Sequence, residues 1–198
     1  MKILVRANDD GKSYIDFEAA FKSLNAELSK ANISLELVCA GGYVLQLHGF
    51  RGTADVDAFY QSNQTIEDII QKVGNEFGIN ADDELWLNNS ISNFNPKPPE
   101  GYCEEKYQFS NLVVKVVTID YLIGMKLSSV SGRELDIKDV INIVKREKKD
   151  LLDLLSKFDK MGFDIDISHI LNAFEGAYGM EWLEDYYINN EAELRKYY

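Results

Sequence analysis

The β-rich runs of this chain all lie before Ile119, and from there to the C-terminus the pattern is helical; that division limits the possible folds more than any other feature. Ile33 to Ala40 (ISLELVCA), Asp55 to Tyr60 and Leu112 to Thr118 (LVVKVVT) carry the β-branched content of strands. Between them, Phe17, Ala20, Phe21, Leu24 and Leu28 recur at helical spacing, which predicts an amphipathic helix over Asp16 to Lys30. A short helix through Tyr43, Leu45 and Leu47 follows the first strand, and Gly49 to Thr53 reads as a turn. Thr65 and Asp68 form a capping box for a helix with Ile66, Ile69, Ile70, Val73 and Phe77 on its apolar face, ending at Gly78. The three prolines, Pro96, Pro98 and Pro99, fall in Asn88 to Tyr107, which reads as a long loop. Helices are expected at about Ile119 to Val130, Leu135 to Lys148, Leu151 to Met161 and Ile167 to Tyr178, punctuated by Gly132 and Gly162, with a last short one from Glu181 to Tyr198. Strands early and helices late predict an α/β (α+β) core over residues 1–120, with a helical part over residues 121–198 packed on it.

Composition narrows the functions. The 198 residues carry 21 Lys plus Arg against 33 Asp plus Glu, a net charge of −12, which disfavours a broad nucleic-acid footprint. The basic run Lys145 to Lys149 reads as a solvated helix end, where cations favour the dipole. Apolar stretches such as Leu112 to Val114 and Leu122 to Met125 fall far short of the roughly 20 residues a membrane span needs, and the apolar start stops at Arg6, too early for a secretory signal. A cytoplasmic protein with no membrane partner is expected. Cys39 and Cys103 match neither a disulfide framework nor a zinc spacing, and neither His48 nor His169 sits in a setting that a Ser-His-Asp or Cys-His enzyme would use. Gly11-Lys12-Ser13 imitates the end of a phosphate-binding loop, but the earlier glycine it requires is Arg6. Asp159 to Ser168 is acid-rich like a calcium loop, yet Met161 and Phe163 stand at ligand positions.

The informative window is Cys39 to Asp57, CAGGYVLQLHGFRGTADVD. On a strand, residues two apart share a face, so Asp55 and Asp57 project together roughly 6.5 to 7 Å apart at Cα while Val56 points inward. Two adjacent carboxylates repel unless a cation sits between them, and hard oxygen ligands suit Mg²⁺, which completes its octahedron with substrate phosphates. Gly41-Gly42, placed where a strand gives way to a helix, offers backbone N–H groups to an anion such as a triphosphate. Together they predict one Mg²⁺–NTP site, with Mn²⁺ as the alternative ion.

This window resembles the nucleotidyltransferase superfamily related to DNA polymerase β, whose motif is a Gly-Gly or Gly-Ser opening a helix and an Asp-x-Asp on the next strand. GGYVLQLHGFRGTADVD is similar to the minimal bacterial branch that includes AbiEii-type and MenT-type toxins of type IV toxin-antitoxin systems, where an Arg and a Thr precede the Asp pair as Arg51 and Thr53 do here. Trp86-Leu87-Asn88-Asn89, the segment Tyr121 to Leu127 containing Lys126, and Arg133 to Val140 extend the resemblance over about Val38 to Val144. It implies a nucleotidyltransferase-like mixed sheet flanked by helices, nucleotide contacts at Gly41, Gly42, Arg51 and Thr53, metal ligation by Asp55 and Asp57, and active-site places for Lys126 and for Asp136 or Asp139. Asp136 and Asp139 also suit the first turn of a helix on their own account, and Trp86 reads as a packing anchor. Much of the superfamily has a third carboxylate on a strand beside the Asp pair; the candidate strand Leu112 to Thr118 carries Lys115 and no acid, and Asp120 lies just past it. A single Mg²⁺ with Lys126 neutralising charge is therefore the expected form.

Two kinds of function fit these residues. One is nucleotidyl transfer from an NTP to a tRNA, protein or small-molecule acceptor, with a cognate antitoxin as partner if the chain is toxin-like. The alternative is a catalytically inactive nucleotide-binding or regulatory protein-interaction module.

Overall fold

The computed structural model describes residues 5–7, 13–81, 84–128 and 134–197, and these form an α/β protein with a helical C-terminal part. Gly11, Lys12, Ser129, Val130, Gly132, Arg133 and Tyr198, which figure in the sequence reading, lie outside the described residues. The chain divides into two compact units, Met1–Thr118 and Ile119–Tyr198.

In the first unit, β1 (Val5–Ala7) and β2 (Ser13–Ile15) make an antiparallel hairpin. Next comes α1 (Phe17–Lys30), capped by Asp16, whose Oδ1 accepts from the Glu18 N–H at 3.2 Å. The main sheet is built from β3 (Leu35–Cys39), β4 (Val56–Phe59), β5 (Leu87–Asn88), β6 (Cys103–Gln108) and β7 (Leu112–Val117), in the order β5-β4-β3-β7-β6. β3 pairs antiparallel with β4 and parallel with β7, so the sheet is mixed. The helix α2 (Gly41–Leu47) follows β3 directly, and α3 (Gln64–Phe77) follows β4. The apolar faces of α1 and α3 bury Phe17, Phe21, Leu24, Leu28, Ile70 and Val73. Among them sits Trp86, 1% exposed, stacked on Phe17 at 6.0 Å and donating from Nε1 to the Ile70 carbonyl at 3.0 Å. Its indole is a core anchor, as a large ring with its one polar atom satisfied should be.

Three local expectations need correction. The α3 cap is Asn63, whose Oδ1 accepts from the Ile66 N–H at 3.0 Å, so Thr65 lies inside the helix and does not open it. Asp55 occupies a bend, and the strand starts at Val56. The stretch Asn88 to Tyr107, read as loop, contains β6, which pairs antiparallel with β7 through a register shift between Glu105 and Tyr107. CEEKYQ has no apolar alternation because it is a half-solvated edge strand held by backbone bonds, and such an edge is commonly charged.

The second unit is helical: α4 (Ile119–Ser128), α5 (Glu134–Glu147), α6 (Leu151–Met161), α7 (Ile167–Tyr178) and α8 (Met180–Leu194), closed by a 3₁₀ turn at Arg195–Tyr197. No helix among the described residues is long and apolar enough to cross a membrane. Asp150 and Asp166 cap α6 and α7. Close packing is visible at Gly176, where a Cβ would lie 2.6 Å from Ile141 Cδ1, and at Gly124, where it would strike the Phe163 ring.

Asp120, considered as a substitute for a third active-site carboxylate, is instead ion-paired to Lys149 at 2.6 Å and to Lys157 at 2.7 Å. Burial alone would raise its pKa, but the hydrogen bonds from the two lysines outweigh it and hold the carboxyl below its ordinary 3.8. A depressed carboxyl pKa adds stability that is present above the unfolded-state value and disappears as pH falls through the folded one. The stability gap between wild type and Asp120→Asn should thus be full at about pH 5 and above and narrow steadily below about pH 4. Urea midpoints of both proteins across that range check it; a gap unchanged down to about pH 2 would show that the pairs contribute nothing.

Candidate functional site

The Asp pair and the glycines are brought together by backbone bonds at the end of β3. The Ala40 N–H donates to the Asp57 carbonyl at 2.9 Å, extending the β3–β4 ladder by one step and seating Asp57 against the turn that follows. Gly41 has φ +62°, a left-handed conformation that glycine adopts without Cβ strain. A Cβ built there would lie 2.6 Å from Asp57 Oδ2, so the carboxylate rests directly on the Gly41 backbone. At Gly42 a Cβ would lie 2.5 Å from Thr53 Oγ1, 2.8 Å from Thr53 Cβ and 3.4 Å from an Arg51 guanidinium nitrogen. The Gly-Gly turn, Arg51, Thr53 and Asp57 are thus contiguous.

Thr53 orders this cluster. Its hydroxyl donates to Asp55 Oδ1 at 2.8 Å, and its N–H donates to Gln46 Oε1 at 3.1 Å, while Gln46 Nε2 donates to the Ile15 carbonyl at 2.7 Å. Gln46, in the last turn of α2, therefore ties the loop before β4 to the end of the hairpin, a role no local signal announces. Because α2 has only seven residues, what it offers an anion is the local backbone of its first turn more than a macrodipole.

On the other flank of β4, Val56 pairs with Leu87 and Asp57 with Asn88 in parallel register, and the Val56 N–H donates to the Trp86 carbonyl at 2.7 Å. The strand beside the Asp pair is therefore β5, and the residue level with Asp57 is Asn88. Leu112 to Thr118, the candidate strand for that neighbour, is β7, which lies beyond β3, and Lys115 there pairs with Glu36 at 2.8 Å and Glu100 at 2.7 Å. Asp55, Asp57 and Asn88 open onto one cleft of about 370 Å³, also lined by Tyr60, Glu67, Glu84, Leu85, Asn89, Ser90 and Asn93. Burial, with Glu67 nearby, pushes the Tyr60 phenol up to about 12.

Among the described residues no group of three His, Cys, Asp or Glu could hold a metal. Two hard carboxylates on one cleft do suit an ion that takes most of its ligands from water and phosphate, as Mg²⁺ does. Asp55 Oδ2 makes no hydrogen bond to any described residue, since only Oδ1 is engaged by Thr53.

The remaining candidates lie in the second unit. Lys126 Nζ is 2.5 Å from Asp136 Oδ1 and 2.9 Å from Asp139 Oδ2, and Lys126 and Asp139 are 7% and 5% exposed. One lysine is thus shared by two buried or nearly buried carboxylates of α5. His169 faces the Leu127 carbonyl at 3.3 Å, a structural contact between α7 and α4. Cys39 is fully buried, and burial raises its thiol pKa, leaving it inert.

A mixed sheet with a Gly-Gly turn seated against the Asp-x-Asp segment that enters β4 is the arrangement the nucleotidyltransferase resemblance implies. The family described as "Nucleotidyltransferase of unknown function (DUF6036)" matches residues 16–186, and the chain belongs to it. No curated protein and no solved structure matches the chain.

Proposed function

We propose that the chain transfers a nucleotidyl group from a Mg²⁺–NTP to an acceptor hydroxyl at the Gly41-Gly42 and Asp55/Asp57 site. The observation that carries this is the contact of the Asp57 carboxylate with the Gly41 backbone, which puts the acid pair and the phosphate-accepting turn in one place. Asp55 and Asp57 would hold the ion, Mg²⁺ or Mn²⁺, and bound there it would neutralise the triphosphate and stabilise charge on the leaving pyrophosphate. The Gly41 and Gly42 backbone, with Arg51, takes the phosphate oxygens; Thr53 keeps Asp55 oriented through its hydroxyl. The acceptor oxygen bonds to the α-phosphorus, the α–β phosphoanhydride bond breaks, and one carboxylate of the pair accepts the hydroxyl proton. Lys126 and Asp136 have catalytic places through the toxin resemblance; their buried pairing also supports a purely structural role.

The resemblance supports a toxin with a tRNA or protein acceptor, a cognate antitoxin as partner and a cytoplasmic site of action. A net charge of −12 favours a compact acceptor over a long RNA footprint. A second reading, a nucleotide-binding regulator without turnover, is favoured by the neutral Asn88 where a third carboxylate would strengthen metal binding.

Asp57→Asn should shrink the rise in melting temperature that Mg²⁺–NTP induces, read against each variant's own ligand-free midpoint. Incubation of wild type with each labelled NTP, Mg²⁺ and cell extract should label a macromolecule or small molecule, with labelling lost in Asp57→Asn. Labelling that persists in the variant overturns the site. Binding of Mg²⁺–NTP with no pyrophosphate released from any NTP supports the regulator.

A further inference from the structure

The side-chain amide of Asn88 has a definite orientation. Its Oδ1 lies 3.1 Å from the Ser90 backbone nitrogen and 2.5 Å from Ser90 Oγ. A backbone N–H can only donate, so the atom facing it must be the amide oxygen, and the NH₂ group points the other way. Nδ2 makes no hydrogen bond to any described residue. Asn88 lines the same cleft as Asp55 and Asp57, and its parallel pairing with Asp57 puts the two side chains on one face, with Cα atoms about 4.8 Å apart. Asp57 thus stands between the Gly41 backbone on one side and an N–H donor on the other.

We propose that Asn88 is a substrate-contacting hydrogen-bond donor, not a metal ligand: Nδ2 donates to a phosphate oxygen of the nucleotide held beside Asp57. An NH₂ group turned toward a divalent cation repels it, whereas the same group next to a phosphate oxygen shares its charge. The site then binds its ion with two acids and reads the nucleotide with one amide. This rests on the reading of the cleft as a Mg²⁺–NTP site.

The test uses the full chain and two substitutions. Asn88→Ala removes the donor; Asn88→Asp keeps an oxygen for both Ser90 contacts and replaces the donor by a negative oxygen. Binding of Mn²⁺ alone is measured by electron paramagnetic resonance, and binding of Mg²⁺ with ATP, CTP, GTP and UTP in turn by calorimetry. Asn88→Ala should leave Mn²⁺ affinity within about twofold of wild type and weaken the bound nucleotide about tenfold, the size of one charge-assisted hydrogen bond. Asn88→Asp should tighten Mn²⁺ and weaken the nucleotide by at least about tenfold, opposite signs that a structural role would not produce. Weaker Mn²⁺ binding in Asn88→Ala, tighter binding of both Mn²⁺ and nucleotide in Asn88→Asp, or unchanged nucleotide affinity in both variants overturns the proposal. Should Asn88→Ala fail to fold, Asn88→Asp carries the test alone. Wild type that binds none of the four nucleotides overturns the reading of the cleft itself and this proposal with it. Wild type that binds, Asp57→Asn that does not, and silent Asn88 variants overturn the Asn88 role alone.

Discussion

Lys126→Ala is expected to destabilise the helical unit by about 3–5 kcal/mol, because it leaves two carboxylates without their shared cation. Lys126 and Asp139 are 7% and 5% exposed, and the Asp136 side chain is 14% exposed, so water can do little to replace the lost charge. For a unit of this size the melting temperature should drop by more than about 10 °C. The chain has two tryptophans, one in each unit, which makes the measurement specific. Trp182 stacks on Phe174 at 5.8 Å and on Tyr186 at 4.8 Å, and in a Trp86→Phe background its fluorescence follows the helical unit during urea unfolding. Removing the three charges together, with Lys126→Met, Asp136→Leu and Asp139→Leu, should recover most of the loss, since apolar replacement of a whole buried ion cluster is commonly neutral or stabilising. A loss under about 1 kcal/mol in Lys126→Ala would mean the cluster is well hydrated. Turnover lost in Lys126→Ala therefore speaks for chemistry only at temperatures where the variant is folded.

Gly41→Ala should abolish nucleotide binding while leaving the protein folded. The residue sits at φ +62°, where an L side chain costs roughly 1–2 kcal/mol, and the new Cβ would lie 2.6 Å from Asp57 Oδ2. Backbone strain of that size shifts the melting temperature by several degrees, but the carboxylate has to swing away from the turn. Mg²⁺–NTP affinity should fall by at least about a hundredfold, as the proposed metal and phosphate positions would be displaced together. Calorimetry with Mg²⁺ and each NTP, beside a melting curve, reads both effects; wild-type affinity in Gly41→Ala would remove Asp57 from the site. Gly42→Val, which would also block phosphate approach, is a poorer test. Its Cβ meets Thr53 Cβ at 2.8 Å and Oγ1 at 2.5 Å, so it disturbs the Thr53–Asp55 hydrogen bond before any ligand arrives.

Much of the candidate site is local in the chain, so its residues are legible there as a group. Gly41-Gly42, Arg51, Thr53, Asp55 and Asp57 fall within seventeen residues, the sum of one short helix, a turn and a strand entry. Their contact follows because β3 and β4 are antiparallel neighbours joined through α2. Residues of the far wall, Glu67, Glu84 and Asn93, carried no signal, each being a common polar residue on a helix or loop: Glu67 comes to the cleft on the first turn of α3, which follows β4, and Glu84 and Asn93 flank β5, which pairs with β4.

Periodicity in the sequence determined where the helices lie, because an amphipathic helix writes its buried face into its own residues. Leu151–Met161 and Ile167–Tyr178 have the same bounds in both readings. It also determined the acid pair and the glycines, whose chemistry is in the residue types. The tertiary structure decided the strand order, the parallel β3–β7 pairing, the polar edge strand β6 and the placement of Asn88 level with Asp57. It also decided that Lys126 is buried between two aspartates of the next helix. The β3–β7 and β4–β5 pairings join segments far apart in the chain, while the β6–β7 hairpin and the Lys126 ion pairs join nearer ones; in every case the partner is chosen by backbone hydrogen bonds or charge, which a segment's own periodicity does not record.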